Sequence, residues 1–176
     1  MPKITKLIKL SELGAGYSKA KSSVKQLIKD EVGASVQSSI LGYLSNSTSP
    51  IKGESRFERL KPNYKKWKRK KVGSGSPNLE LFGDMLGKLE YRPHRQGVEV
   101  GIWDETQSKK AELHNRWTGK AVSHANKMNV AERKFIPKKG ERFKSKIESQ
   151  IKEIIKENVL QSEIETQFER LVKKEE

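Results

Sequence analysis

The chain of 176 residues contains no cysteine. This absence excludes a disulfide framework and a thiolate metal site, and it is compatible with a reducing compartment. Long apolar runs are also missing, so we expect no membrane-spanning segment and no membrane partner. Lysines interrupt the apolar positions of the opening stretch MPKITKLIKL, which therefore lacks the continuous apolar core of a signal peptide.

Apolar and acidic residues are both scarce. Hydrophobic residues make up 33% of the chain, and 37 Lys and Arg outnumber 22 Asp and Glu, which gives a formal net charge of +15. The length suits one domain, but the low apolar content predicts that part of the surface packs against copies of the chain or a partner. The charge predicts attraction to polyanions, whether nucleic acid, an acidic protein or a membrane surface.

Three segments have the apolar periodicity of amphipathic helices. Residues 17–44 predict a long helix, residues 141–159 a second one, and residues 160–176 a separate helical tail that docks on a neighbour. Gly33 and Gly42 either weaken the first helix by up to about 1 kcal/mol each or mark the close approach of another backbone. The apolar positions are Val24, Leu27, Ile28, Val32, Val36, Ile40, Leu41 and Leu44 in the first helix, Phe143, Ile147, Ile151, Ile154, Ile155 and Val159 in the second, and Ile164, Phe168, Leu171 and Val172 in the tail.

Strand patterns lie between the two long helices. Val98, Val100 and Ile102 alternate with polar or small residues, which predicts an antiparallel hairpin with residues 89–92 around a turn at residues 93–97. The stretch ERKFIP predicts one more short strand, and a short helix is expected at residues 108–117.

This order of elements predicts an α+β fold: a small, mainly antiparallel sheet packed by a long N-terminal helix and a C-terminal amphipathic helix. We expect an N-terminal arm at residues 1–16, a single α+β domain at residues 17–159 and a C-terminal helical tail at residues 160–176. Within the domain, Ser, Gly and Pro followed by lysines predict a basic flexible insertion at about residues 45–78.

The most basic stretch is LKPNYKKWKRKK, in which a helix is expected to begin near Pro62. The stretch is a solvated basic loop, a surface that contacts DNA phosphates, or a contact for an acidic protein. Tyr64 and Trp67 either stack on bases, as in proteins that bind single strands, or fix the stretch to the core. The candidate DNA- or partner-facing patch consists of Lys65, Lys66, Lys68, Arg69, Lys70 and Lys71.

No catalytic constellation is evident. The spacings of His94, His114 and His124 match no metal-ligand motif, and neither Asp84 nor Asp104 has an adjacent histidine or serine with which to form a dyad. We therefore predict no enzymatic activity, no cofactor and no metal site. A nuclease built around the histidine and asparagine of HNRW is a distant alternative.

Four short motifs occur in a specific order over roughly residues 67–159: PNLELFGDMLGKL, GVEVGI, HN followed by a glycine, and AERKFIP. Together they resemble the tail-completion or virion-morphogenesis proteins of tailed bacteriophages. Phe82 and Lys88 depart from the small hydroxyl residues usual in that family. The positions that match are Leu79, Gly83, Met85, Val100, Gly101, His114, Gly119, Arg133 and Phe135.

The resemblance implies a structural virion protein of the phage neck, which completes the tail and joins it to the head. Such proteins form closed rings, commonly six-fold, around the DNA channel. The partners it implies are copies of the chain, neighbouring neck and tail-tube proteins, and DNA phosphates. The location it implies is the virion, after assembly from the host cytoplasm. The alternative is a free-standing basic nucleic-acid-binding protein.

The matching positions also have structural interpretations. Gly83 would allow a sharp turn, and Gly101 would allow a close approach on the outer face of the hairpin. Phe135 would anchor the last strand against the C-terminal helix.

Overall fold

The computed structural model describes residues 4–79, 84–115 and 132–175. These residues form an α+β domain with a three-stranded antiparallel sheet packed against helices, which confirms the predicted fold class. The strands are β1 (Ile4–Lys9), β2 (Leu89–His94) and β3 (Gly97–Ile102), and the α-helices are α1 (Leu10–Leu13), α2 (Ser22–Ser45), α3 (Pro62–Val72), α4 (Glu105–Asn115) and α5 (Ser145–Glu175).

The predicted hairpin is confirmed. Strands β2 and β3 pair from Leu89 opposite Ile102 to His94 opposite Gly97, so the turn contains only residues 95–96 and is shorter than predicted. The apolar residues of β3 are fully buried, as the alternation of side chains along a strand requires.

The third strand comes from the N-terminal residues. Strand β1 pairs antiparallel with β3, which makes β3 the central strand, so the prediction of a separate arm is wrong for residues 4–9. The buried side chains of β1 are Ile4 and Ile8, while Leu7 is only partly buried. Strand β1 therefore lacks the two-residue alternation by which β3 could be recognised in the sequence.

Two glycines of β3 allow the backbone of β1 to come close. A Cβ atom at Gly101 would overlap the carbonyl oxygen of Ile4 and lie 2.7 Å from the Cα of Thr5, and a Cβ at Gly97 would overlap the carbonyl oxygen of Ile8. The predicted close approach at Gly101 is confirmed, and the element that approaches is β1.

Helix α2 directs its apolar stripe into the core, where Ile28, Val32, Val36, Ile40 and Leu44 are fully buried. Leu27 was expected to widen this stripe, but half of its surface is exposed. The expectation is wrong because adjacent residues lie about 100° apart around a helix, and the buried face of α2 is narrow.

The two glycines of α2 differ. A Cβ at Gly33 would overlap the ring of Tyr91, so this glycine marks the close approach of an aromatic side chain from β2. No atom outside the local helix lies within 4 Å of a Cβ placed at Gly42, which leaves only the helix-weakening interpretation there.

Helix α5 runs antiparallel to α2. The hydroxyl of Ser39 donates to Oε1 of Gln150 at 3.1 Å, and Nδ2 of Asn158 donates to Oε2 of Glu31 at 2.7 Å. The helix is continuous over 31 residues, so the prediction of a separate tail helix from residue 160 is wrong. Among the side chains described, up to residue 172, the buried ones of α5 are Ile147, Ile151 and Ile155, all in its first half.

Part of the predicted flexible insertion is attached to the domain. The amide of Lys52 donates to the carbonyl of Arg142 at 2.9 Å, and the amide of Lys144 donates to the carbonyl of Pro50 at 2.8 Å. These bonds surround Ile51, which is almost fully buried. Phe57 of the same segment is also buried in the core, and the polar composition of the segment obscured both apolar anchors.

Residues 132–137 do not form the predicted strand. Their backbone bonds to the buried side chain of Asn115 instead: Oδ1 accepts from the amide of Phe135 at 2.8 Å, and Nδ2 donates to the carbonyl of Ile136 at 2.7 Å. The side chain of Phe135 is nevertheless fully buried in the common core. One amide side chain at the end of α4 thus replaces a strand partner.

Candidate functional site

Helix α3 is the basic stretch of the sequence, and it contains no acidic residue. Pro62 occupies the start of the helix, where an amide hydrogen is not needed, which confirms the predicted helix start. Gly73 ends the helix with a left-handed φ of +72°, and its amide donates to the carbonyl of Arg69 at 3.0 Å. Basic residues in the last turn lie next to the negative end of the helix dipole.

Lys68 is not part of the exposed patch, so that prediction is wrong. Its side chain is buried, and Nζ donates to the carbonyl of Ser76 at 2.7 Å and to Oδ1 of Asn78 at 2.6 Å. These bonds hold the loop of residues 73–78 against the helix. Nothing in a run of lysines distinguishes the one that folds inward, because the distinction arises from the oxygens of the following loop.

The other cations of the stretch point outward, and we call them the basic helix surface. It consists of Lys61, Lys65, Lys66, Arg69, Lys70 and Lys71. None of the six forms an ion pair within the described residues. Six positive charges along about 16 Å of helix produce a local field that attracts anionic partners.

Tyr64 and Trp67 stack on each other. Their ring centroids are 5.4 Å apart with an interplanar angle of 28°. They remain 45% and 41% exposed, respectively. The pair therefore presents a partly exposed aromatic surface among the cations, while the interpretation that the rings fix the stretch to the core stays a prediction.

Arg133 lies close to the start of α3. Burial lowers the pKa of its guanidinium, while the charges of Glu58 and Tyr64 act in the opposite direction. This coupling shows that the N-terminal part of α3 and the residues before it lie near the segment of residues 132–137.

His114 is largely enclosed at the end of α4. Burial lowers the pKa of its imidazole to about 4, and the positive charge of Arg133 acts in the same direction. Its Nδ1 atom has no hydrogen-bond partner among the described residues. The side chain is therefore neutral at pH 7 and belongs to the interior rather than to an exposed site.

The buried imidazole predicts a specific pH dependence of stability. His114 is protonated near pH 6.5 in the unfolded chain but only near pH 4 in the folded one, so the unfolded state binds more protons between these values. Stability is then lost as the pH falls through this window. We expect the free energy of unfolding to drop by about 2 kcal/mol between pH 7 and pH 5 from this group alone.

The measurement is urea unfolding of the wild type and of His114→Gln at pH 7, 6 and 5. The difference between their unfolding free energies should change with pH because every other titrating group is shared. Two parallel pH profiles would contradict the assignment.

The positions of the family resemblance do not converge on one site. Three of them lie in the hydrophobic core: Met85, Val100 and Phe135. Leu79 packs against the edge of this core, and Gly101 lies beside β1 in the sheet. Arg133 and His114 are neighbours in a second location. Gly83 and Gly119 lie outside the described residues.

A second surface lies on the part of α5 beyond the core. Its apolar side chains are between 45% and 68% exposed. The sequence indicated the periodicity of four of them, but not Leu160. We call this the distal α5 surface, and it consists of Leu160, Ile164, Phe168, Leu171 and Val172, with Glu163, Glu165 and Glu169 exposed among them.

The two surfaces lie at opposite ends of the domain. Residues 46–61 connect α2 to α3, and Ile51 in this connection forms a bridge with Phe143, just before α5. The connection that leads into α3 is therefore held near the start of α5, and Tyr64 in the first turn of α3 lies near Arg133. The distal α5 surface begins 15 residues after the first residue of this helix, Ser145, which is more than about 20 Å along its axis.

Two features are absent from the described residues. No three His, Asp or Glu side chains are grouped so that they could hold a metal ion. No helix in residues 4–79, 84–115 and 132–175 is long and apolar enough to cross a bilayer.

Comparisons of the chain with protein-family models, with curated proteins and with solved structures found no match.

Proposed function

We propose that this protein is a structural subunit of the neck of a tailed bacteriophage. In this role it completes the tail and joins it to the head, assembled with copies of itself as a six-fold ring around the DNA channel. It has no catalytic role in this proposal. Its neighbours are other neck and tail-tube proteins, and its place is the virion.

The observation that carries this proposal is the distal α5 surface. Five large apolar side chains are exposed on one stretch of helix, and Phe168 alone is 68% exposed. An exposed apolar stripe of this kind is typical of a surface that is covered in an assembly. A ring gives each subunit a neighbour on both sides and leaves no subunit with an uncovered contact.

The residues of the family resemblance support the same proposal. Met85, Val100 and Phe135 act as core residues, and Gly101 allows two strands to come together. These are roles in a scaffold rather than in a reaction. The basic helix surface supplies charge for an anionic neighbour in the neck, whether DNA or protein.

The test is deletion of the gene from the phage that encodes this chain. We expect lysates that contain filled heads and separate tails in electron micrographs, and restoration of joined particles when the chain is supplied in trans. A labelled copy should lie at the junction of head and tail. Joined particles in the absence of the chain would refute the proposal.

A matched pair of variants connects this test to the structure. The double variant Phe168→Ser/Leu171→Ser should fold but fail to restore joined particles because the distal α5 surface loses apolar contact area. The control Lys110→Ser changes an exposed residue of α4 and should restore joining as well as the wild type does.

A second candidate function is nucleic-acid binding by α3. The observation that favours it is the exposed stack of Tyr64 and Trp67 among six unpaired cations. Rings of this kind stack on bases, and the cations neutralise phosphates.

Neutralising three of these cations tests the second candidate. The variant Lys65→Gln/Lys66→Gln/Arg69→Gln should bind duplex DNA at least about tenfold more weakly at moderate salt. The slope of log K against the logarithm of the salt concentration should decrease in magnitude by about 2 to 3, because each phosphate contact contributes nearly one unit to that slope. Fluorescence anisotropy over a salt series measures both quantities.

The matched control is Lys139→Gln/Lys152→Gln/Lys156→Gln, which removes the same net charge from exposed positions outside α3. Equal losses in both variants would show that the total charge, and not α3, causes the attraction, and would remove this candidate.

A further inference from the structure

We propose that the distal α5 surface of one copy binds the basic helix surface of the next copy. This contact rests on the proposed function, because it supplies the subunit interface of the ring. It joins copies head to tail through two different surfaces.

Charge complementarity is the first argument. The chain is strongly basic overall, yet residues 157–172 contain four glutamates and only one basic residue, Arg170. Residues 61–71 contain seven cations and no acidic residue. The chain therefore has a strongly basic segment at residues 61–71 and an acidic segment at residues 157–172, and both are largely exposed. Surfaces of opposite charge attract each other.

The apolar groups also match. The stacked rings of Tyr64 and Trp67 are the large exposed apolar side chains of α3. The distal α5 surface offers Phe168 and aliphatic side chains between its glutamates. A contact between the two surfaces would bury aromatic and aliphatic groups at its centre and place lysine–glutamate pairs around them, which is the usual anatomy of a protein interface.

Geometry requires that the contact be intermolecular. The two surfaces lie at opposite ends of α5, and the bond between Asn158 and Glu31 holds the middle of that helix against α2. The two surfaces of one chain therefore cannot meet. Because the two surfaces are different, pairing them joins subunits head to tail, and such a series closes into a ring when the rotation between neighbours divides a full turn. The basic helix and residues 160–172 are about 16 and 20 Å long, so their lengths also match.

Pairing of α5 with the same helix of another copy is less favourable. The apolar stripe is flanked by Glu163, Glu165 and Glu169, and a symmetric contact would bring two sets of these carboxylates together. Like charges placed opposite each other across an interface weaken it.

Charge exchange between the two surfaces tests the proposal. Variant A is Lys65→Glu/Lys66→Glu/Arg69→Glu/Lys70→Glu/Lys71→Glu, which makes the basic helix surface net negative, and variant B is Glu163→Lys/Glu165→Lys/Glu169→Lys. Each variant alone presents two surfaces of the same sign, so we expect its self-association to weaken at least about tenfold. In an equimolar mixture every contact can again join opposite charges, with A and B alternating around the ring. We therefore expect assembly to return in the mixture.

Sedimentation velocity at several concentrations measures the assembly, and circular dichroism with urea unfolding shows that each variant is folded. A mixture that stays dissociated overturns the proposal. Variants A and B that assemble alone as well as the wild type also overturn it. Loss of assembly in B but not in A would also overturn the proposal, because the charges of α3 would then not contribute to the contact.

A covalent test is possible because the chain has no natural cysteine. The double variant Lys70→Cys/Glu165→Cys, treated with a short bis-maleimide, should give a ladder of dimers, trimers and larger products on a denaturing gel. The single variants should give no ladder. Efficient dimers from Glu165→Cys alone would overturn the proposal in favour of α5 pairing.

The two levels of the hypothesis can fail separately. If the chain lies at the head–tail junction and joins particles while A and B do not complement each other, only this contact is wrong. If joined particles form without the chain, the neck function is wrong, and the sedimentation experiment still decides whether α3 and α5 bind each other.

Discussion

Replacing Gly101 with valine is expected to lower the free energy of unfolding by about 4 kcal/mol. A side chain at this position overlaps the carbonyl oxygen of Ile4 and the Cα of Thr5, which are backbone atoms and cannot rotate away. Strand β1 must move, so the variant loses the burial of Ile4 and Ile8 together with much of the β1–β3 ladder. Burying one such side chain contributes about 1.5–3 kcal/mol, and overpacking adds further strain.

Gly42→Ala is the control for this experiment. A Cβ there meets no atom within 4 Å beyond its own helix, so the substitution should raise stability by up to about 1 kcal/mol through helix propensity. Urea unfolding followed by circular dichroism measures both variants. A Gly101→Val protein as stable as the wild type would mean that β1 does not lie against β3 as described.

Asn115→Ala is expected to cost about 3 kcal/mol of stability. The side chain is fully buried, and its removal leaves the amide of Phe135 without its acceptor and the carbonyl of Ile136 without its amide donor. Each buried polar group that loses its partner costs about 1–3 kcal/mol. The segment that carries Phe135 would loosen with it, so amide hydrogen exchange should accelerate in residues 133–136 before it accelerates in the sheet.

The control is Asn158→Ala, which removes an exposed hydrogen bond to Glu31 on the surface of α5. We expect a loss of less than about 1 kcal/mol, since water replaces the partner. Similar losses in both variants would argue against the role of Asn115 as the replacement for a strand partner.

The sequence predicted the elements that have a complete local pattern. Strand β3 alternates without interruption, and its partner β2 follows within reach of a short turn, so the hairpin was recognisable. Helix α2 repeats its buried residues every four positions, and the first half of α5 has a similar stripe. In these cases the spacing of the buried residues follows from the geometry of a single helix or strand, so it can be read from the local sequence.

The errors lie where a distant residue decides the structure. Strand β1 has only two buried side chains, and it pairs because Gly97 and Gly101, about 90 positions later, leave room for its backbone. The stretch ERKFIP has strand-forming residues, but the amide of Asn115 takes the bonds that a strand would need. Neither fact is visible in the local sequence.

The candidate surfaces were predicted in part. The positions of the cations were evident, but the inward direction of Lys68 depends on Ser76 and Asn78. The apolar period of the C-terminal residues was evident too. The structural interpretation of this period was different, because α5 continues without a break. The apolar stripe is part of that long helix rather than of a tail that docks separately.

If the chain assembles as proposed, the continuity of α5 makes correct folding a condition for assembly. An isolated segment of about fifteen residues is only marginally helical in water, so the outer part of α5 depends on the inner part, which is held by Ile147, Ile151 and Ile155 in the core. A subunit with an unfolded core would lose the helical order that spaces the exposed apolar groups. Incorporation into a larger structure would then select for folded chains without a separate quality-control factor.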